Sequence, residues 1–197
     1  MERDDGPDLQ GLYALRSALD ELIGRTVSGD DSIRRASDAI VGALRGGGRV
    51  LACGNGGSAA DAQHFVAELV GRFVAGSARP PLPAIALSSD PSVVTCVAND
   101  FGYDDVFAHQ VVAHGRAGDV LVAISTSGRS RNVLRAVATA LQLGLRVVAL
   151  TGDADCPLAS IAPLVVRAPG GAVRTVQEVH GAVLHGFCDA IERSWET

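Results

Sequence analysis

The 197 residues are enough for one domain with a sizeable core, and 47% hydrophobic with 20% charged residues is an ordinary globular mix. A net charge of −5, with no basic patch interleaved with aromatics, argues against a broad DNA or RNA surface. A small anion held at a helix N-terminus stays open, because that needs no net positive charge.

Aromatics are scarce at 4%, so Val, Leu, Ala and Ile are expected to fill the core. Residues 8–27 place Leu9, Leu12, Leu15, Leu19, Leu22 and Ile23 at helical spacing. A second helix is expected over 30–46, with Ile33, Ala36, Ile40, Val41 and Leu44 as its stripe, broken by "GGGRV". From there the pattern becomes strand, turn, helix. "RVLACG" (49–54) reads as a buried strand and "AADAQHFVAELVGRF" as its helix. "LPAIALSS" (82–89) is a second strand, followed by short helices at "PSVVTCVAND" and "FAHQVVAHG". "DVLVAISTS" (119–127) is a third strand, with "RNVLRAVATALQLG" its helix, stopped by Gly144. "LRVVALTG" (145–152) and "APLVVRAPG" (162–170) are the fourth and fifth strands, and "RTVQEVHGAVLHGFCDAIERSW" is a long closing helix.

Apolar strands alternating with helices predict an α/β three-layer sandwich around a five-stranded parallel sheet. Such sheets bind ligands outside the carboxyl ends of their strands. Residues 1–46 are expected to form a helical pair that packs on the core or on a neighbouring subunit. Residues 47–197 are expected to form the sheet domain, one structural unit with the helices. The four cysteines, Cys53, Cys96, Cys156 and Cys188, are widely spaced with no CxxC pair, so free thiols in a reducing cytosol are expected. "MERDDGPDLQ" is acidic and lacks an apolar h-region, and no apolar run is long enough to span a bilayer.

"GNGGSA" fits G-x-G-x-x-G/A through Gly54, Gly56 and Ala59, after a strand and before a helix. A dinucleotide site also wants an acidic residue about 20 positions on. Position 79 is Arg79 and the next acid after Glu68 is Asp90, which argues against NAD. A plain tight turn would explain the glycines without a ligand. A second polar turn, "ISTSGRSRN", follows the third strand. One N-cap explains one serine, but not Ser125, Thr126, Ser127 and Ser130 together; hydroxyls beside free amides make a phosphate cradle.

On a helix, His64 and Glu68 lie one turn apart on one face. Gln177 and His185 on the closing helix are eight apart, roughly 80° off one another, and can face a common cavity. His180 is about 140° from His185 and points elsewhere. Two imidazoles, a carboxylate and an amide oxygen suit a divalent metal such as zinc; a carboxylate with an imidazole also suits acid–base work.

"CGNGGSAADAQHFVAEL", "VAND", "AISTSGRSRNV" and "RTVQEVHGAVLH" together resemble the phosphoheptose isomerases of the sugar isomerase (SIS) fold, along nearly the whole chain. The resemblance implies a cytoplasmic homotetramer with sites at subunit interfaces. The implied reaction takes sedoheptulose 7-phosphate to D-glycero-D-manno-heptose 7-phosphate, the first step toward nucleotide-activated heptoses. It implies one zinc per subunit on His64, Glu68, Gln177 and His185. It implies sugar-phosphate contacts at Asn55, Gly56, Gly57, Asn99, Asp100, Ser125, Thr126, Ser127 and Ser130. The family more often reads STSGNS where this chain has Arg129. An enediol route would use Glu68 as the base at C1 and C2, with His185 serving the sugar oxygens. Gln177 would orient substrate or metal, and Asp100 would bind a hydroxyl. A similar "SAADAQHF" and "AISTSG" run occurs in a non-catalytic scaffold of the same fold that binds the bacterial replication initiator. That scaffold lacks the glutamate and the late histidine, both present here. A sugar-phosphate-sensing regulatory domain would usually carry a basic helix-turn-helix, which this sequence does not show.

Overall fold

A computed structural model describes residues 9–196. The elements run α1 (Gln10–Val27), α2 (Ser32–Arg45), β1 (Val50–Cys53), α3 (Gly57–Val70), β2 (Ala84–Ala86) and α4 (Pro91–Phe101). A single 3-10 turn (Tyr103–Asp105) leads to α5 (Val106–His114). Then come β3 (Val120–Ser125), α6 (Arg131–Gln142), β4 (Arg146–Gly152), α7 (Pro157–Ile161), β5 (Leu164–Ala168) and α8 (Val173–Trp195). The expected start of the first helix, Asp8, lies outside the described residues.

The five strands form one all-parallel sheet in the order β2-β1-β3-β4-β5. Strand side chains alternate between two cores. Val50, Ala52, Val122, Ile124, Val148, Leu150 and Val166 pack under α1, α2, α3 and α8. Leu51, Cys53, Leu121, Ala123, Val147 and Ala149 pack under α4, α5, α6 and α7. Both faces are covered, as continuously apolar strands require. The chain leaves β1 in one direction through α3 to β2 and returns on the other face to β3. The strand order therefore reverses between β1 and β3, and the crevice beyond their carboxyl ends is the place such sheets offer a ligand.

The structure corrects several expectations in detail. The second strand shrinks to three residues, a short edge that limits unwanted pairing. The helix α7 went unpredicted, because five residues are too short to show a period. On α1 only Ala18 and Leu22 are buried, with Leu15 and Leu19 packed beside them. Leu12 and Ile23 are each 60% exposed, so the apolar stripe is split between the core and an outward face. Among the described residues no helix is long and apolar enough to cross a membrane.

Candidate active site

Two turns meet beyond β1 and β3. Asn55, Gly56, Gly57 and Ser58 come from the first; Ser125, Thr126 and Ser130 come from the second. With Ile124, Val173 and Gln177 they line a pocket of about 310 Å³. Helices α3, α6 and α8 all begin here, and none has its N-terminal amides capped by its N-cap side chain. Some first-turn amides are used locally, Ser58 and Ala59 N–H donating to the Asn55 and Gly56 carbonyls and Val133 N–H to Asn132 Oδ1, but the positive ends of three helix dipoles face one small space, which suits an anion. Ser130 spends its hydroxyl on Ser125 Oγ at 3.1 Å instead of capping α6. Gly128, at φ +60°, carries the serine turn past Cys156; a Cβ there would lie 2.1 Å from its Sγ. Gln177 sits over the first turn, its Nε2 2.5 Å from where a Cβ on Gly57 would be.

Ser127 lines a neighbouring cavity of about 740 Å³ that shares Thr126 and Val173 with the pocket. That cavity carries Glu21 and Asp153, both bonded to Arg25. Arg25 pulls the Asp153 carboxyl below its ordinary range, chiefly through their hydrogen bond. Arg129 lines the same cavity, which therefore carries a cation beside its carboxylates.

The Asn55 side chain is fully engaged. Its Nδ2 donates to Asn132 Oδ1 at 2.9 Å, while its Oδ1 accepts from Asn132 Nδ2 at 2.9 Å and from Tyr103 Oη at 3.0 Å. This reciprocal amide pair ties the two turns together, and Asn132 is buried. Asn55 therefore acts on the pocket through its backbone and its brace. Neither Asn132 nor Tyr103 was found by sequence reasoning; a polar residue two positions into α6 was the only signal.

Farther along α3 and α8 lies a second cluster. His64 Nε2 is 3.1 Å from Glu68 Oε1. The rings of His64 and His185 stand edge to face with centroids 5.1 Å apart, and Phe73 lies 5.3 Å from His185. Beneath them Phe65 meets Phe187 at 6.3 Å and fixes the pairing of the two helices. Both histidines are exposed, and Glu68 is half-buried. One turn before His64, burial pushes the Asp61 carboxyl up, with His64 opposing, and its Oδ2 is buried without a partner.

Several sequence expectations are not brought together in the single chain. Glu68 is eleven residues beyond Gly57, about 16 Å of helix axis from the strand ends, not at the ligand edge itself. Gln177 and His185 are about 12 Å apart along α8, and Gln177 is the one that lines the pocket at the strand ends. Asn99 and Asp100 end α4 on the surface, with Asn99 Nδ2 donating to Asp100 Oδ1 at 2.8 Å. Among the described residues no group of three or more His, Cys, Asp or Glu converges to hold a metal ion. A zinc site is thus not shown: His64 faces Glu68, with the His185 ring beside them, and Gln177 lies at the pocket of the strand ends. His180 does point away from His185, as its angle required. It is buried, its Nε2–H donates to the Thr151 carbonyl at 3.0 Å, and its Nδ1 has no partner. Burial holds its pKa below the ordinary histidine value, against that hydrogen bond.

The SIS domain profile matches residues 16–152. The phosphoheptose isomerase of Shewanella sediminis (strain HAW-EB3) is 49% identical over 167 residues, 83% of this chain and 84% of that protein. The solved phosphoheptose isomerase from Neisseria gonorrhoeae superposes with a TM-score of 0.81 at 39% identity, covering 93% of this chain and 94% of that one. The one from Francisella tularensis gives 0.84 at 36%, covering 95% and 100%. These relatives are named as enzymes and give the scaffold alternative no support.

Proposed function

The chain belongs to the SIS domain family and, within it, to the phosphoheptose isomerases, and from that premise we propose that it converts sedoheptulose 7-phosphate to D-glycero-D-manno-heptose 7-phosphate through an enediol. The isomerase class and a heptose phosphate as substrate come with membership; the direction, the product and the enediol are the proposal's own. One observation carries it: Glu68 and His64 in hydrogen-bond contact at 3.1 Å, with the His185 ring beside them. A carboxylate takes the C1 proton and returns it at C2; an imidazole serves the oxygens that gain and lose protons. Asn55, Gly56, Gly57, Ser125, Thr126, Ser127 and Ser130 hold the phosphate, and Asn99 and Asp100 hold sugar hydroxyls.

The proposal includes a homotetramer whose sites are shared between subunits. Two features support this. The anion pocket and Glu68 lie far apart in one chain, so a neighbour is needed to bring them to one substrate. The outward face of α1, with Leu12, Tyr13, Ile23 and Val27 exposed, is an apolar surface of the kind that protein contacts cover. A cytoplasmic location is supported by cysteines that are all free, as in a reducing compartment. A zinc ion on His64, Glu68, Gln177 and His185 belongs to the proposal through donor chemistry alone, since Gln177 stands apart from the other three. When bound, zinc would polarise a carbonyl oxygen.

The test is direct conversion of sedoheptulose 7-phosphate by the purified chain, followed by 31P NMR, before and after chelation and zinc reloading, with metal content measured alongside. Appearance of a heptose 7-phosphate supports the reading; no conversion in any state overturns it.

A further inference from the structure

The segment between α3 and β2 has almost no secondary structure of its own, yet it is pinned by an ion pair inside the protein. Arg79 Nε donates to Glu192 Oε1 at 2.8 Å, with the side chains 1% and 4% exposed. Glu192 also accepts from the Phe73 amide at 3.2 Å and from Ser77 Oγ at 2.5 Å. Burial alone would push the Glu192 carboxyl up, but the bonds from Ser77, Arg79 and Phe73 hold it below its ordinary value.

The rest of the guanidinium turns toward the end of α3. Nη2 donates to the Glu68 carbonyl at 2.5 Å and Nη1 to the Leu69 carbonyl at 2.8 Å. Carbonyls in a last helical turn lack helical partners, and a cation there matches the negative end of the dipole. A planar fork of fixed donors suits the geometry in a way an ammonium would not. On the other side, Glu192 follows His185 by seven residues, so both lie on one face of α8, two turns apart. Phe73, whose amide Glu192 holds, places its ring 5.3 Å from that of His185. One pair therefore reaches the backbone of Glu68 and, through Phe73, the ring of His185.

Holding a loop does not require buried charge, because apolar side chains of similar volume often stabilise as well. What an apolar pair cannot do is fix two named carbonyls and one amide in register. We propose that Arg79 and Glu192 are positioning residues that set Glu68 against His185, an inference that rests on the acid–base reading given above. Neither touches the substrate.

The test compares Glu192→Gln, Arg79→Lys and Ser77→Ala in the full chain as purified. Three quantities are read: steady-state kinetics with sedoheptulose 7-phosphate, thermal melting, and imidazole 1H–15N resonances. In Glu192→Gln and Arg79→Lys, kcat falls roughly 10- to 100-fold well below the melting temperature. KM moves less than about twofold, because the phosphate turns are elsewhere. The His64 and His185 resonances shift. Ser77→Ala removes one bond and leaves the pair, and it lowers kcat by about threefold; it decides the matter if the other two do not fold. Folded variants with unchanged kcat and unmoved imidazoles overturn the proposal, as does a loss confined to melting temperature. If the unaltered protein does not turn over the sugar, the functional reading fails, and the imidazole spectra alone judge the pair: shifted resonances support it and unmoved ones overturn it.

Discussion

The anion pocket is made of backbone. Gly56, Gly57 and the serine turn ride on the ends of β1 and β3, and three helices present their positive N-terminal ends to it. The cluster of His64, Glu68 and His185 is made of side chains on two helix surfaces, held by what packs behind them. The first region depends on where the chain can turn, the second on how two helices are registered. Substitutions should therefore separate the two: damage to the turns weakens binding, and damage to the cluster slows the chemistry.

The largest effect is expected at Glu68. Glu68→Gln keeps the shape and removes the proposed base, so kcat should drop about 10²- to 10⁴-fold while KM stays near its original value. Steady-state kinetics checks this, and a rise in KM with kcat intact would break the separation of the two regions. Next comes Gly128→Ala, which forces a left-handed residue and a Cβ onto Cys156. A loss on the order of 2–4 kcal/mol in denaturant unfolding is expected, with a weaker KM in whatever remains folded. Ser130→Ala should raise KM about tenfold, the worth of one hydrogen bond to a charged group, and leave kcat within about twofold.

The smallest effect lies outside both regions. His180 is buried as the neutral ring, with a folded pKa below the unfolded value of about 6.5. Its contribution to stability is complete above the unfolded value and is lost as the pH falls through the folded one. Unfolding midpoints should thus drop more steeply between pH 7.5 and 5.5 in the original chain than in His180→Gln. Parallel curves would mean the ring does not remain neutral.

The strands were legible because Val50–Cys53, Val120–Ser125 and Arg146–Gly152 hold apolar runs of four or five residues ended by glycine or polar turns. The turns were legible for the same reason, since the glycines and hydroxyls of the pocket are neighbours in sequence. What was not legible is what joins distant segments. Asn55 and Asn132 are 77 positions apart, Tyr103 and Asn55 are 48, and Arg79 and Glu192 are 113. No local period announces such partners. Arg79 entered the sequence argument only as a missing acid, yet it is the residue that grips the end of α3. The helical angles placed His180 correctly, and for Gln177 and His185 they left open the distance along the axis, which an angle about it does not carry.

Proton transfer at Glu68 is the central step, and a proton NMR time course with sedoheptulose 7-phosphate in D2O reads it. The prediction is a new heptose 7-phosphate carrying deuterium at C2, as an enediol that exchanges with solvent requires. A product with no deuterium at C2 would contradict the exchanging enediol, and no product with or without added zinc would contradict the isomerase itself.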